Sequence, residues 1–350
     1  MIDGPDITAD WVDEVLRAAA TDAHVRAVQV EKIGTGQTGA NFRLHLDADG
    51  LPPTLVAKTA AGDRAARERV SAGYRSEVGF YTVFRDQVRI RTPRCWHAAI
   101  SDDHCDFVLL LDDLAPATPG VQVDGCTAQQ AADAVRNLAG LHAPVWNDRS
   151  LFDHRDWLSS MTGSRTEFLG TITQNAAEVF VDRYAVELGD ADRDTLREAA
   201  ALTARWGAID TGVLALVHGD YRLDNLMFPQ GGDGVYAVDW QTLTIAPPGR
   251  DLGYFLATSL HVDERRAHQD ALVAEYVDEV RRLGVADCTV EQCDVEYRLG
   301  VLQAPMITII GAAYATAQRS AAADAMFVAM ATRACAAIRD LDSFALVESS

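Results

Sequence analysis

The sequence predicts an α+β fold, with an antiparallel sheet and a helix in the N-terminal part and mostly helices in the remainder. Three observations carry this prediction. After a helical pattern over residues 6–20, segments that alternate apolar and polar residues recur in the first 113 residues. The turns that connect the first three of these segments are short and contain glycine, which is typical of antiparallel strand pairs. From residue 128 onward, apolar residues recur mainly at helical spacing.

The bulk composition is that of a globular protein and argues against some functions. The 350 residues are enough for a sizeable core, and 48% of them are apolar while 23% are charged. A net charge of −20 at pH 7 argues against nucleic-acid binding through a basic face. The six cysteines show no C-x-x-C pair, so we expect free thiols and a cytoplasmic location. Neither a signal peptide nor an obligate protein partner is evident.

The longest apolar stretch covers residues 299–317. It contains Gln303 and Pro305 and is rich in alanine, glycine and threonine. A membrane-spanning helix needs about 20 predominantly apolar residues. We therefore expect a buried helix here and no membrane span.

A glycine-rich segment separates two predicted strands, residues 28–33 and 41–46. Its pattern is G-x-G-x-x-G, formed by Gly34, Gly36 and Gly39. A dinucleotide-binding fold needs a helix directly after the last glycine, whereas a strand follows here. The hairpin instead favours a loop that covers phosphate groups with backbone N–H groups. A flexible hairpin tip without a ligand is the alternative.

A third predicted strand, residues 55–58, ends on Lys58. Only two of the 31 basic residues are lysines, so a lysine at the end of an apolar strand is informative. Its compact ammonium group binds phosphate as a point charge, a role in which arginine is not equivalent. An ordinary surface lysine is the alternative. A helix is predicted over residues 63–86, and a buried strand over residues 107–111 leads to Asp112.

A polar segment that contains Asp220 and Asn225 lies between two apolar runs. Residues 229–234 form a strong turn signal, and the run that follows ends on Asp239. A hairpin would therefore return Asp239 to the neighbourhood of the loop. Phosphoryl transfer by kinases needs this set of residues, because one carboxylate accepts a hydroxyl proton while an amide oxygen and a second carboxylate hold Mg²⁺. A plain turn around His218 is the alternative.

Two segments carry a resemblance to a known superfamily. Residues 218–220, His-Gly-Asp, followed by Asn225, resemble the catalytic loop of the aminoglycoside phosphotransferase and choline kinase superfamily, which comprises small-molecule kinases of protein-kinase-like fold. Residues 239–256, with Asp-Trp-Gln, Pro-Pro, Arg-Asp-Leu and Tyr-Phe-Leu, resemble its CHK kinase-like (ecdysteroid-kinase-like) branch. The aminoglycoside branch more often has an acidic residue in place of Gln241.

The resemblance implies a bilobal protein-kinase-like fold with two domains. An N-terminal nucleotide-binding lobe would cover residues 1–113. A helical C-terminal lobe with the catalytic loop and the acceptor site would cover residues 114–350. Mg-ATP would bind in the cleft between them, with the backbone at Asp112 and Leu114 forming the hinge that bonds the adenine ring. Asp251, at a predicted helix start, would anchor the backbone of the catalytic loop.

The same resemblance implies roles for the polar residues. The three glycines would cover the phosphates of ATP. Lys58 would pair the α- and β-phosphates and would be held by Glu77, with Glu68 as the second candidate. Asp220 would orient the acceptor hydroxyl and take its proton. The ligands of Mg²⁺ would be Asn225 and Asp239.

We therefore expect an ATP-dependent O-phosphotransferase that acts on a hydroxyl of a small metabolite or xenobiotic. One alternative is an aminoglycoside phosphotransferase conferring antibiotic resistance, which the acidic charge after residue 113 permits. A nucleotide-binding pseudokinase is disfavoured because the polar residue types that catalysis needs are present at all the catalytic positions. A dehydrogenase is disfavoured by the strand after Gly39. The sequence does not indicate the acceptor, the hydroxyl attacked, the choice between ATP and GTP, or the oligomeric state.

Overall fold

The computed structural model describes residues 6–18, 24–34, 39–161, 164–314 and 320–350. Contacts between residues divide the chain into two compact units. Unit 1 consists of Met1–Asp86, Thr92–Pro116 and Val238–Leu243, and unit 2 consists of Gln87–Arg91, Ala117–Ala237 and Thr244–Ser350. The predicted domain boundary lies after residue 113, whereas the chain leaves unit 1 after Pro116. The sequence patterns also did not indicate that residues 87–91 belong to unit 2 and residues 238–243 to unit 1.

Unit 1 contains the antiparallel sheet that the sequence predicted. Its elements are α1 (Ala9–Ala18), β1 (His24–Ile33), β2 (Gly39–Asp49), β3 (Thr54–Ala60), α2 (Arg64–Gly79), β4 (Cys95–Ile100) and β5 (Phe107–Asp112). Neighbouring strands pair antiparallel in the order β1-β2-β3-β5-β4, so β3 is the central strand. One face of the sheet packs against α1 in a core that includes Val12, Leu44, Leu55 and Leu110.

Strand β4 was not predicted from the sequence. It is an edge strand of the sheet, and all six of its residues are half-buried. Its sequence, Cys-Trp-His-Ala-Ala-Ile, therefore shows no clear alternation of apolar and polar residues, which is the usual signal of a strand.

Helix α2 begins after Asp63, whose carboxylate accepts a hydrogen bond from the backbone N–H of Ala66. The chain remains helical through a π-helical turn over Phe80–Phe84. The helical segment thus agrees with the prediction of a helix over residues 63–86.

The segment Val238–Leu243 joins unit 1 through a stacked aromatic pair. The rings of Phe80 and Trp240 have centroids 3.5 Å apart and planes that differ by 6°. Both side chains are fully buried. Burial of two large stacked rings is strongly stabilising, so this pair fixes the backbone next to Asp239.

Unit 2 is mostly helical, as predicted. Its helices are α3 (Ala128–His142), α4 (Ser164–Arg183), α5 (Asp190–Gly207), α6 (Gly249–Ser259), α7 (Val262–Arg282), α8 (Val290–Gly300), α9 (Gln303–Tyr314), α10 (Ala321–Asp340) and α11 (Ser343–Ser349). Helices α4, α5, α9 and α10 share a buried apolar cluster that includes Phe180, Leu196, Ile309 and Cys335.

Short strands complete unit 2. They are β6 (Thr118–Pro119), β7 (Ser159–Ser160), β8 (Ala215–Val217), β9 (Leu226–Phe228), β10 (Tyr236–Ala237) and β11 (Thr244–Ala246). They form two three-stranded sheets, in the orders β10-β9-β6 and β7-β11-β8. The β9–β10 pair is the hairpin predicted after the loop that contains Asp220, and β8 leads into that loop.

Helices α6 and α8 approach each other closely at glycine residues. A Cβ atom at Gly253 would overlap the backbone of Gly300, and a Cβ atom at Gly300 would overlap the backbone of Gly249. No larger residue fits at these positions without moving a helix. This close packing fixes the position of α6 within unit 2.

The prediction of one buried helix over residues 299–317 is wrong in its extent. Helix α8 ends at Gly300, and α9 begins at Gln303. Gly300, which packs closely against Gly249, is the last residue of α8. Pro305 lies in the first turn of α9, where backbone N–H groups have no partner within the helix, so the missing N–H of proline costs no hydrogen bond. Residues 315–317 lie outside the described residues.

Among the residues that the structure describes, helix α10 alone is long and apolar enough to span a membrane. Of its most apolar window, 44% is buried inside the protein. It also contains Arg333, a buried residue whose guanidinium donates to the carbonyl oxygens of Gln122 and Val123. Because core helices of globular proteins share this length and composition, α10 is weak evidence for a membrane span.

Candidate active site

The polar centre of unit 1 is the ammonium group of Lys58, on the central strand β3. Its Nζ lies 2.7 Å from Oε1 of Glu77, on α2, and 3.4 Å from Oδ1 of Asp239. Lys58 is only 8% exposed. Burial alone would lower the pKa of Lys58, but the charges of Asp239 and Glu77 raise this pKa above its ordinary value. The side chain is therefore a protonated donor suited to phosphate oxygens.

Glu77 is fully enclosed and accepts a hydrogen bond at each oxygen. Oε1 accepts from Lys58, and Oε2 accepts from Nε2 of Gln241 at 3.1 Å. Burial raises the pKa of Glu77, while the nearby ammonium group of Lys58 opposes the shift. Glu68, the second candidate from the sequence, is exposed and pairs with Arg64 on the same helix. The structure thus places Glu77, and not Glu68, beside the lysine.

Asp239 combines an unusual backbone with an accessible carboxylate. Its φ angle is 68°, in the left-handed region that non-glycine residues seldom adopt. Such residues concentrate at functional sites, where the surrounding structure holds them. Here the residue that follows Asp239 is Trp240, whose ring is held by its stack on Phe80. The side chain of Asp239 is 42% exposed, so its carboxylate can bind a ligand while it contacts Lys58.

The first and last glycines of the predicted phosphate-binding loop are described. Gly34 has a φ angle of 66°, which favours glycine. Gly39 begins β2, and a Cβ atom there would lie 3.0 Å from Cε of Lys58 and 3.4 Å from the carbonyl oxygen of Thr59. The absence of a side chain at Gly39 thus lets the start of β2 pass close to the lysine. Gly36 lies outside the described residues.

The two predicted hinge residues lie at the end of β5. Asp112 is its last residue; Oδ1 accepts from Nε1 of Trp96 at 2.7 Å, and the backbone N–H donates to the carbonyl oxygen of Arg94 at 2.9 Å. The backbone N–H of Asp112 therefore already donates a hydrogen bond within unit 1. Leu114 is half-buried beyond the strand. The contact of these residues with an adenine ring stays a prediction.

In unit 2, three side chains hold the carboxylate of Asp220. The hydroxyl of Tyr254 donates to Oδ1 at 2.8 Å, and Nδ2 of Asn225 donates to Oδ2 at 3.0 Å. Nε of Arg222 lies 3.1 Å from Oδ1. The Asp220 side chain nevertheless remains 24% exposed. The carboxylate is thus fixed in orientation but accessible to a substrate.

The backbone of the loop before Asp220 is also held. The two carboxylate oxygens of Asp251, in the first turn of α6, accept from the N–H groups of His218 at 2.6 Å and Gly219 at 2.9 Å. Nε2 of Gln303 donates to the carbonyl oxygen of Gly219 at 3.1 Å. Asp251 therefore anchors the loop, as the resemblance implied.

The orientation of Asn225 leaves one of its side-chain atoms available to a metal ion. Its Nδ2 donates both to the backbone oxygen and to Oδ2 of Asp220, so its Oδ1 is the atom left to bind a cation. Within the described ranges, no group of three His, Cys, Asp or Glu side chains could hold a metal ion. Mg²⁺ often takes only one or two protein oxygens and completes its shell with phosphates and water. The amide oxygen of Asn225 is therefore a donor of the kind that nucleotide-bound Mg²⁺ takes.

Three contacts of the site were not foreseen from the sequence. They are the hydrogen bonds from Tyr254 to Asp220, from Gln241 to Glu77, and from Gln303 to Gly219. The partners are 34, 164 and 84 residues apart along the chain, so no local pattern links them. For one of these contacts the sequence did contain a signal. Gln303 is a polar residue within an apolar stretch, and a buried polar side chain needs a hydrogen-bond partner.

The model of the ecdysteroid kinase-like family matches residues 47–284. The matched region contains β3, α2, the loop with Asp220, α6 and α7, while the glycine-rich segment precedes it. A search of the curated proteins found no match.

Solved structures with a similar fold include several kinases. A choline kinase from Cryptosporidium parvum has a TM-score of 0.55 at 11% identity, with 91% of each chain covered. A Ralstonia eutropha protein described as an aminoglycoside phosphotransferase has a TM-score of 0.54 at 18% identity, with 95% of this chain and 98% of that chain covered. The GDP and kanamycin complex of APH(2")-IIia has a TM-score of 0.51 at 12% identity, with 86% and 92% covered. These likenesses concern the fold alone and confirm the predicted kinase-like fold.

Proposed function

The chain belongs to the ecdysteroid kinase-like family, and on that premise we propose that it transfers the γ-phosphate of Mg-ATP to a hydroxyl group of a small molecule. The family match supports small-molecule phosphotransferase activity. The observation that carries the proposal is the buried Lys58 ammonium group, held between Glu77 at 2.7 Å and Asp239 at 3.4 Å. A protonated lysine beside an accessible carboxylate suits a nucleotide phosphate and its cation.

Each unit would supply its own part of the chemistry. In unit 1, Lys58 would bind phosphate oxygens while Glu77 and Gln241 hold it in place, and Asp239 would hold Mg²⁺. In unit 2, Asn225 would offer its amide oxygen to the cation, and Asp220 would orient the acceptor hydroxyl and take its proton. When bound, Mg²⁺ neutralises negative charge on the phosphate oxygens.

The donor nucleotide is proposed to be ATP, with GTP as the alternative. The structurally similar APH(2")-IIia has been solved with GDP, so a guanine nucleotide is compatible with a protein of this fold. The predicted hinge residues would contact the base in either case.

The charges around Asp220 disfavour a polycationic acceptor. Arg222 forms ion pairs with both Asp220 and Asp224. Burial alone would lower the pKa of Arg222, but the charge of Asp220 and its neighbours raises it well above its ordinary value. One permanent cation therefore neutralises part of the negative charge at the reacting position. An aminoglycoside would need several uncompensated carboxylates for its amines.

The apolar side chains near Asp220 favour an acceptor with an apolar frame. Nη1 of Arg222 lies 3.2 Å from Sδ of Met326. Met326 and Ile307 pack, partly buried, against the cluster that contains Tyr254. Ile307 of α9 and Met326 of α10 thus place apolar side chains beside the cluster that holds Tyr254. We therefore favour a hydroxylated, lipid-like or steroid-like alcohol as the acceptor.

A panel of acceptors tests this proposal. Aminoglycosides, amino-alcohols, sterols and hydroxyacyl compounds would each be incubated with Mg-ATP and, separately, with Mg-GTP. Acceptor-dependent release of ADP or GDP would identify the acceptor class and the donor together. Release with aminoglycosides alone would assign the antibiotic phosphotransferase function instead. Tight nucleotide binding without turnover on any acceptor would favour a pseudokinase.

A further inference from the structure

Tyr254 is the contact between helix α6 and the carboxylate of Asp220. Its hydroxyl donates to Oδ1 at 2.8 Å. The residue is fully buried, and its ring packs with Ala304, Met330 and Ala334 of α9 and α10. Packing thus fixes the ring, and with it the hydroxyl, independently of any substrate.

Helix α6 holds the catalytic loop at two points. Asp251 and Tyr254 are three residues apart and so lie on the same face of the helix. Asp251 binds the backbone N–H groups of His218 and Gly219, whereas Tyr254 binds the side chain of Asp220. Both the path of the loop and the orientation of its carboxylate therefore depend on one rigid element.

The donors around Asp220 are not interchangeable. Asn225 holds Oδ2, and Tyr254 holds Oδ1. Arg222 contacts both oxygens, at 3.1 Å and 3.3 Å, but also binds Asp224. Without the tyrosine hydroxyl, Oδ1 would be left with the guanidinium alone, and the carboxylate could rotate toward Arg222.

The hydroxyl of Tyr254 remains a neutral donor. Burial raises the pKa of Tyr254 well above its ordinary value, and the negative charge of Asp220 raises this pKa further. The tyrosine therefore keeps its proton at neutral pH, so its hydrogen bond to Asp220 persists.

We propose that Tyr254 is a positioning residue for phosphoryl transfer, whose hydroxyl fixes the carboxylate of Asp220 in the orientation that receives the acceptor proton. This inference rests on the proposed function. Tyr254 acts through Asp220, so its removal affects the chemical step more than the binding of the nucleotide.

The test is the Tyr254→Phe variant, which keeps the ring and removes only the hydroxyl. ADP release from Mg-ATP would be measured with each member of the acceptor panel and with water alone. We expect kcat to fall on the order of 10-fold or more while the KM for ATP stays within about twofold.

Tyr184→Phe is the matched control. Tyr184 is also buried, and its hydroxyl donates to a carboxylate oxygen of Asp324 at 2.7 Å. Tyr184 follows α4 directly and Asp324 lies on α10, so the variant should keep the wild-type kcat and KM for ATP. Urea midpoints of both variants would show that each is folded.

The outcomes separate this inference from the proposed function. If the wild type turns over and Tyr254→Phe matches it in kcat, the positioning role is wrong and the kinase function stands. Equal losses of kcat in Tyr254→Phe and Tyr184→Phe would also overturn it, as would a loss in Tyr254→Phe that appears in the KM for ATP and not in kcat. If the wild type releases no ADP with any acceptor, the proposed function fails, and this inference fails with it.

Discussion

The ammonium nitrogen of Lys58 lies 2.7 Å from Oε1 of Glu77, and both side chains are buried. This pair joins the central strand of the unit 1 sheet to helix α2. A buried ion pair that loses one partner leaves the other charge unpaired in a poorly solvated place. The stability of unit 1 and the proposed binding of phosphate therefore depend on the same two residues.

We predict that Lys58→Met lowers the free energy of unfolding by about 3 kcal/mol at pH 8, because the carboxylate of Glu77 remains buried without its partner. Burial already raises the pKa of Glu77, so the loss should be smaller at pH 5, where protonation relieves the charge. The double variant Lys58→Met with Glu77→Gln should recover much of the stability but none of the turnover. Urea unfolding at the two pH values measures this, and equal losses at both would argue against an ionised Glu77.

Gln241→Glu places a second carboxylate against Glu77. The amide of Gln241 now donates to Oε2 of Glu77 at 3.1 Å, and a glutamate would replace attraction with repulsion between like charges. We expect a loss of about 1–2 kcal/mol at pH 8 that shrinks on acidification. Gln241→Met, which removes the donor without adding charge, is the control. Urea midpoints for the glutamate variant that do not change with pH would show that the two side chains do not interact.

Glu296→Gln should stabilise the protein at neutral and alkaline pH. Glu296 is 4% exposed, and burial raises its pKa above the ordinary value of 4.5. A carboxyl group with a raised folded-state pKa contributes full stability below pH 4.5 and loses it as the pH rises through the folded value. Glutamine cannot ionise and keeps the hydrogen-bond acceptor for the N–H of Gly249.

The thermal midpoint of Glu296→Gln should therefore exceed that of the wild type at pH 8 and converge with it near pH 4. Glu14→Gln, at an exposed position of α1, should match the wild type at both pH values. A midpoint below the wild type at pH 8 would show that the charge of Glu296, through Arg250, contributes more than its burial costs.

Gly253→Ala should destabilise unit 2 by about 2 kcal/mol or more, because the added methyl overlaps the backbone of Gly300 and forces α6 away from α8. Asp251 and Tyr254 flank this glycine on α6, so we also expect turnover to fall. Gly189→Ala is the control, since a Cβ atom at Gly189 meets nothing within 4 Å. A Gly253→Ala variant with the stability of this control would contradict the close packing of the two helices.

The sequence was sufficient for features whose signals are local. The hairpin β9–β10, the strand that carries Lys58 and the loop with Asp220 follow from turn residues and apolar runs within about a dozen positions. The choice of Glu77 came from the family resemblance, and the structure places this residue beside Lys58.

Features that depend on distant contacts could not be predicted. Gly300, at the end of α8, packs against Gly249, and Trp240, in the segment of residues 238–243, stacks on Phe80. Neither partner is visible from the local sequence. Strand β4 was missed for a different reason, since an evenly half-buried edge strand has no periodic pattern.

The most direct test of the central claim compares wild type, Asp220→Asn and Asp233→Asn in one assay of acceptor-dependent ADP release from Mg-ATP. Asp220 is held by Asn225 and Tyr254 yet remains accessible, whereas Asp233 lies exposed in the turn between β9 and β10. The account predicts release by wild type and Asp233→Asn, and a loss on the order of 100-fold or more in Asp220→Asn. Equal release by all three proteins, or no release by any, would contradict it.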